Sequence, residues 1–274
     1  MLVSKPTLKW CVLIFSLTLI AACGGGSSSS GSSKACDALN IKIFNGEVCA
    51  EQVRSSVVAI MPFITDGVDI FPAGICTGTF VSVTSILTSA HCFTNPIRDH
   101  GNSLVGFAAV TGDFDVFEFQ TINIHPLYTG SPATPYDLAL ARVNRIPIPH
   151  ISPVPILLSE LTVVGDDTVT FGYGTNNAGE LGVLKAARMK IANFQNGNII
   201  ATLQESGASI CPGDSGGPLV SLRNGVTTLV GVNSFVAATG CQGGHGSPFS
   251  GFVDLQNNLI LEFIAAHAPD AAVY

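Results

Sequence analysis

Short apolar runs recur along the chain, separated by clusters of Gly, Pro, Asn and Asp. They fall at residues 57–63, 78–81, 85–88, 104–110, 138–143, 168–173, 219–222 and 228–234. Runs of this length, rich in Val, Ile, Thr and Phe and bounded by turn residues, predict strands. Many short strands with turns between them predict an all-β fold, and the pattern leaves a barrel and a sandwich both open. Near the C-terminus the period changes. Leu255, Leu259, Ile260, Phe263 and Ile264 fall at helical spacing and predict one amphipathic helix packed on the sheet. The Pro-rich stretch 146–155 is expected to be the crossover between two halves.

The N-terminal segment has a different character. Lys5 and Lys9 precede a short apolar stretch, 10–20, too short to span a bilayer comfortably. It ends in Ile20-Ala21-Ala22-Cys23, which resembles the lipobox of bacterial lipoproteins. That resemblance implies removal of residues 1–22 and acylation of Cys23; an ordinary secretory peptide is the alternative. Several acyl chains on one residue give stable anchoring, where one chain is marginal. Residues 24–33 are only Gly and Ser, a random-coil tether.

Composition narrows the function classes. Apolar residues form 47% of the 274-residue chain and charged residues 11%, enough to build a sizeable core. Net charge is −7, and no Lys/Arg run occurs, so nucleic acid is not an expected partner. Of the eight cysteines, Cys11 leaves with the leader and Cys23 takes lipid. The remaining six, Cys36, Cys49, Cys76, Cys92, Cys211 and Cys241, form an even set that reads as three disulfides in an exported chain. There is no CxxC pair and no HExxH, so neither a metal nor a cofactor is expected.

Three segments carry chemistry. A serine hydroxyl is a poor nucleophile near neutral pH and needs an adjacent base, which in turn needs a group to fix its tautomer. Thr88-Ser89-Ala90-His91-Cys92 follows an apolar strand, and Tyr136-Asp137-Leu138-Ala139-Leu140 opens another. Cys211-Pro212-Gly213-Asp214-Ser215-Gly216-Gly217-Pro218 is a Gly-rich turn. In this order they resemble the His, Asp and Ser motifs of the trypsin/chymotrypsin family. His125-Pro126-Leu127-Tyr128 and Phe171-Gly172-Tyr173-Gly174 add to a match that extends from Ile43 over nearly all the rest.

The resemblance implies two six-stranded antiparallel β-barrels with a C-terminal α-helix, in a peptidase domain spanning 43–274 with its crossover near 146–160. Residues 23–42 would be anchor, tether and propeptide. It implies a serine endopeptidase acting on proteins or peptides, monomeric and held to the membrane by its lipid. It would sit in a bacterial cell envelope, facing the periplasm or exterior, or else be secreted. Ser215 would be the nucleophile, His91 the base and then the acid, and Asp137 the orienting carboxylate. Gly213 and Ser215 would supply the oxyanion amides, and Ser234 would support Asp137. Cys76–Cys92 and Cys211–Cys241 would be disulfides, which leaves Cys36 and Cys49 to each other. Ser209 would lie at the base of the primary pocket, with Ile210 and Val236 narrowing it, so small aliphatic residues are expected before the cleaved bond. The far wall is open at this point, because residues 248–252 align in more than one way.

Lys42-Ile43-Phe44-Asn45-Gly46 resembles the family's activation site, where a freed Ile43 amine would pair with Asp214. The stretch from Asp137 to Ser215 is shorter than in pancreatic members, so cleft loops are expected to be trimmed. His100, His125, His150, His245 and His267 read as loop or surface residues. The rival class is a catalytically idle, protease-like binding module or adhesin. A broken triad would mark it, and this one is intact. Envelope quality-control proteases are another rival, but no PDZ-like region is expected here.

Overall fold

A computed structural model describes residues 56–94, 103–111, 116–144, 151–175, 181–204, 210–236 and 249–274. The expected leader, Cys23 with its tether, Cys36, Lys42, Ile43, Cys49, Ser209 and Cys241 lie outside these residues. So do His100, His150 and His245.

The first half contains β1 (Val57–Thr65), β2 (Ile70–Pro72), β3 (Cys76–Phe80), β4 (Ser85–Thr88), α1 (His91–Thr94), β5 (Ser103–Val110), β6 (Val116–Ile124) and β7 (Ala139–Val143). Six strands run antiparallel in the order β1-β3-β4-β7-β6-β5, and β5 returns to pair with β1 from Val110 to Ser103. Closure leaves no open edge apart from the short β2, which pairs with the far end of β1. The second half contains β8 (Asp167–Gly172), β9 (Lys185–Gln195), β10 (Asn198–Leu203), β11 (Pro218–Arg223), β12 (Val226–Val236), β13 (Phe249–Asp254) and α2 (Asn258–His267). Its strands close a second antiparallel barrel in the order β10-β13-β12-β11-β8-β9.

Strand alternation explains why so many runs looked uniformly apolar. In β1, Val58 and Ile60 belong to a cluster with Phe80, Ile86, Ala109, Ala139 and Ala141, which fills the first barrel. Val57 and Ala59, on the opposite face, join Leu87, Leu140, Phe171, Tyr173, Val220 and Leu229 between the barrels. Both faces are therefore buried, and each fully buried Leu, Ile or Phe contributes about 1.5–3 kcal/mol. The second barrel has its own interior of Met189, Ile191, Ile199, Leu219, Val230 and Phe252. The segment after residue 150 runs from one barrel to the other. The Val154 N–H donates to Phe80 O, and the Leu157 N–H donates to Leu229 O.

Several strands have no apolar run to mark them. No residue of β6 is buried, and β9 is half-exposed and carries Lys185, Arg188 and Lys190, so neither gives a strong apolar signal. Strands β9–β10 and β11–β12 are joined by two-residue Asn-Gly turns. Asn196, Gly197, Asn224 and Gly225 all have positive φ, as such hairpins require. In α2, Asn257 caps the N-terminus by accepting the Leu259 N–H at 3.0 Å. Ile260, Phe263 and Ile264 pack inward as expected, whereas Leu259 is exposed and Leu255 is buried just before the helix starts. Among the described residues no helix is long and apolar enough to cross a membrane.

His125 lies in the loop that follows β6, as expected, but away from the surface. It is buried, its ring stacked on Tyr136 at 4.8 Å and tilted against Phe263 of α2 at 4.9 Å. The helix covers a side chain whose own neighbours in sequence give no apolar pattern. Burial holds its pKa below the usual 6.5, partly opposed by a contact with Leu259 O. The unfolded chain therefore binds the proton more readily, so this stability is complete above pH 6.5 and is lost as pH falls through the folded value. The melting temperature is expected to drop more steeply from pH 7 to pH 5 in the parent than in His125→Phe. Equal slopes would show that His125 is not held neutral by the fold.

Candidate active site

The ladder between β4 and β7 places the first two groups. Thr88 lies opposite Ala139, so the residues just beyond β4 and just before β7 emerge side by side. There the His91 imidazole and the Asp137 carboxylate meet at 2.7 Å, Nδ1 to Oδ2. The His91 backbone N–H also donates to Oδ1, at 2.9 Å. Asp137 has no exposed side-chain surface, and the His91 side chain is 18% exposed. A third donor, Ser234 Oγ of β12, reaches Oδ2 at 2.5 Å and also contacts the Pro132 carbonyl. A buried carboxylate needs such donors. Because it only accepts, Nδ1 carries the proton and the Nε2 lone pair is left free.

The Gly-rich turn before β11 is fixed from the other barrel. Thr77 of β3 donates its N–H to Ser215 O at 2.8 Å and its hydroxyl to Gly213 O at 2.8 Å, and it accepts the Tyr173 N–H at 3.0 Å. The Ser215 carbonyl lies 3.9 Å from Cys92 Sγ, so the serine sits beside the histidine loop. Asn233 completes the stitching. Its carbonyl accepts the Gly216 N–H at 2.7 Å and Ser89 Oγ at 2.6 Å, and its side chain donates to Asp214 O at 3.0 Å. Thr77, Ser89 and Asn233 carry no sequence signal for these roles. Their partners are distant in the chain, and only the closed barrels bring them together.

Backbone geometry then exposes two donors. The N–H groups of Asp214, Gly216 and Gly217 are each bonded to backbone carbonyls. Those of Gly213 and Ser215 meet no acceptor among the described residues. Gly213 has φ +101°, and a Cβ there would lie 2.8 Å from Gly174 Cα. Only glycine fits that conformation and that space. Ser215 Oγ makes no hydrogen bond to the imidazole, a separation common before substrate tightens such sites.

Asp214 turns away from this surface. Its carboxylate accepts the Cys211 N–H at 2.8 Å and the Gly174 N–H at 2.7 Å. Burial pushes its pKa up to about 6, against the pull of those two amides and of the Lys185 charge.

A sequence model of the trypsin family, described as "Trypsin", matches residues 27–256. The chain belongs to the trypsin family. It is 27% identical over 193 residues to the chymotrypsin-like elastase family member 1 of Rattus norvegicus, covering 61% of this chain and 70% of that one. The Macaca fascicularis protein of the same name is 28% identical over the same coverage. The vitamin K-dependent protein C of Oryctolagus cuniculus is 29% identical over 195 residues, 58% of this chain and 40% of that one.

The family's disulfide at the histidine loop is present, Cys76 to Cys92. Cys211 is disulfide-bonded as well. Of the proposed pocket residues, Ile210 is buried in the interior cluster of the second barrel, and Val236 packs against that cluster. Residues 249–252 of the segment that the sequence left open lie in β13, paired with β12. Val236 faces Ser250, and Phe235 faces Gly251. Ser250 is fully buried, and its hydroxyl has no hydrogen-bond partner among the described residues.

Proposed function

We propose that this chain is a serine endopeptidase that cleaves peptide bonds through an acyl-enzyme on Ser215. The observation that carries this reading is the buried Asp137 gripping His91 by two hydrogen bonds, beside a serine turn with two amides that meet no acceptor among the described residues. In the forward step Ser215 Oγ bonds to the substrate carbonyl carbon and its proton passes to His91 Nε2. The carbonyl oxygen becomes an oxyanion and accepts the Gly213 and Ser215 N–H groups, which are already oriented and need no reorganisation. When the C–N bond breaks, His91 returns the proton to the departing amine. Water then repeats the sequence on the ester and frees Ser215. Asp137 stays ionised throughout and stabilises the charged imidazole.

The reading extends to specificity and place. Ser209, Ile210 and Val236 favour small aliphatic side chains before the cleaved bond. A Lys or Arg side chain would lose its water without finding a buried carboxylate, at a cost of several kcal/mol. Cys23 would hold the enzyme to a bacterial membrane, Lys42–Ile43 would be the activation cut, and a Cys36–Cys49 disulfide would keep the cut domain on its anchor.

One experiment addresses all of it. The purified protein is treated with a fluorophosphonate, mapped by mass spectrometry without reduction, and profiled on a peptide library. The adduct is expected on Ser215, acyl groups on Cys23, an Ile43 terminus, a Cys36–Cys49 pair, and cleavage after Ala or Val. An unlabelled Ser215 in folded protein would identify an idle binding module. A dominant Lys or Arg preference, a bare Cys23, unpaired Cys36 and Cys49, or no Ile43 terminus would each remove the corresponding element.

A further inference from the structure

Between the crossover and β8 the stretch 158–164 exposes Leu158, Leu161, Val163 and Val164, with Leu161 exposed to 76%. Val273, exposed to 61%, stands beside them: the Leu158 and Ser159 N–H groups both donate to Tyr274 O, at 2.8 and 2.9 Å. Leu158 and Val273 also border a groove of about 330 Å³, shared with Ile156, Leu261, Ile264 and Ala268 and lined by apolar residues throughout. Contiguous apolar surface of this kind marks a contact site. The stretch is firmly held. Gln256, just before α2, donates to Leu157 O at 3.2 Å and to Glu160 O at 2.7 Å, and it accepts the Thr162 N–H at 2.8 Å. Asp166 accepts the Val163 N–H at 3.0 Å, and the Gly165 N–H donates to Ile191 O at 2.8 Å. Charges at its base are matched, with the Arg223 guanidinium 2.9 Å from Glu160 and 2.5 Å from Asp166. Bonded backbone groups and paired carboxylates let a segment leave water for hydrocarbon at low cost.

The place where the rest of the chain enters points to what covers this face. Ser56 O accepts the Phe80 N–H at 2.8 Å, Phe80 O accepts the Val154 N–H at 2.9 Å, and the Ser56 hydroxyl bonds the Ser152 carbonyl. Val81 O, one residue on, accepts the Ala272 N–H at 2.7 Å. The chain therefore joins the fold beside the crossover and the segment after α2, both of which border the groove. Residues 24–55 connect that point to Cys23 and reach about 110 Å at most. A tether of that length limits distance from a bilayer without setting orientation, which falls to the surface of the domain. With a net charge of −7 the chain gains nothing from anionic headgroups, so the orienting contact is apolar. We infer that the face formed by Leu158, Leu161, Val163, Val164 and Val273 rests in the acyl-chain boundary of the membrane that Cys23 anchors, and so turns the domain one way up. This rests on the lipid-anchor reading and adds a second contact to it. His91, Asp137 and Ser215 are not among the residues of this face, so docking is expected to leave hydrolysis of a soluble peptide unchanged.

Trp10 is the single tryptophan of the chain, so Leu161→Trp in a Trp10→Phe background carries one indole, and it lies on the face. The purified chain is mixed with phosphatidylcholine vesicles, with and without bromine on the acyl chains. Its emission is expected to shift to shorter wavelength on binding and to lose intensity in brominated vesicles, at low and high salt alike. Leu104→Trp, at an exposed position on β5 of the first barrel, is the control and is expected to show neither change. Adding Val164→Asp to Leu161→Trp should abolish both changes while the protein still floats with the vesicles. Melting curves and turnover of a soluble peptide show that each variant is folded and active. Unchanged emission from Leu161→Trp on vesicles that carry the protein would overturn the face. Equal quenching at Leu104→Trp, or no binding to vesicles at all, would do the same. A dimer in solution that Leu161→Asp separates would also overturn it, by assigning the face to a second copy. Quenching at Leu161→Trp in a protein whose Cys23 is bare by mass spectrometry would remove the anchor and keep the face. Absence of peptide turnover in every form, the parent included, would bear on the endopeptidase reading alone.

Discussion

Ser215→Ala is expected to lower kcat for peptide hydrolysis on the order of 10⁶-fold and to leave stability within about 0.5 kcal/mol of the parent. The two halves of that expectation have separate causes. Stability is spared because the turn is held by backbone groups rather than by the serine side chain. Thr77 binds the Ser215 and Gly213 carbonyls, and Asn233 binds the Gly216 N–H and Asp214 O. Among the described residues, Ser215 Oγ has no hydrogen bond to lose. Activity collapses because the hydroxyl that attacks the carbonyl is gone and an alanine methyl cannot replace it. What remains is the acceleration supplied by the amides and by binding, about 10³–10⁴-fold over water. Steady-state kinetics and a denaturation curve on the same preparation check both halves. Near-parent turnover in a folded variant would show that the nucleophile is elsewhere.

The candidate triad was legible because each of its members sits in a short segment whose composition has few other uses. Gly213-Asp214-Ser215-Gly216-Gly217 is the clearest case: a turn with those glycines has little to offer a core, and the serine at its centre stands out. The residues that hold this machinery in place were not legible. Thr77 looks like any strand threonine until Gly213, 136 residues away, is brought to its hydroxyl. Ser89 is as ordinary until Asn233 accepts its bond across 144 residues. Lys185 has no motif around it, and only the β8–β9 register sets it across from Gly172, where its ammonium donates to Gly174 O.

The fold divided in a similar way. Strands buried on both faces, such as β1 and β7, announced themselves as apolar runs. Solvent-facing β6 did not, because its pairing depends on neighbours rather than on its own pattern. The burial of His125 was hidden for the complementary reason. A lone histidine has no pattern, and its burial is decided by Phe263 on a helix near the other end of the chain.

The same dependence on close approach predicts a severe loss of stability. Gly216→Ala is expected to cost more than about 4 kcal/mol, in the range reserved for severe, named faults. Backbone strain and steric overlap both contribute. At φ +83° an L side chain costs about 1–2 kcal/mol wherever it stands. Overlap costs more, since the new Cβ would lie 2.0 Å from Thr88 Oγ1, 2.3 Å from Thr77 O and 2.9 Å from Ser89 N. Two of those atoms belong to backbone, so no rotamer change relieves them, and Thr88 Oγ1 is itself bonded to Thr77 O at 2.7 Å. Relief would require the serine turn to move off β3 and β4, breaking the Thr77–Ser215 bond that joins the barrels and the Gly216–Asn233 bond within the second. Gly225→Ala separates strain from overlap. It has nearly the same φ, +81°, but nothing within 4 Å of the added carbon, so it should lose only the conformational 1–2 kcal/mol. Domains have about 5–15 kcal/mol in all. Gly216→Ala should therefore yield little folded protein, while Gly225→Ala folds with a modestly lower melting temperature. Equal denaturation midpoints for the two variants would mean that the serine turn does not press on β3 and β4 as described.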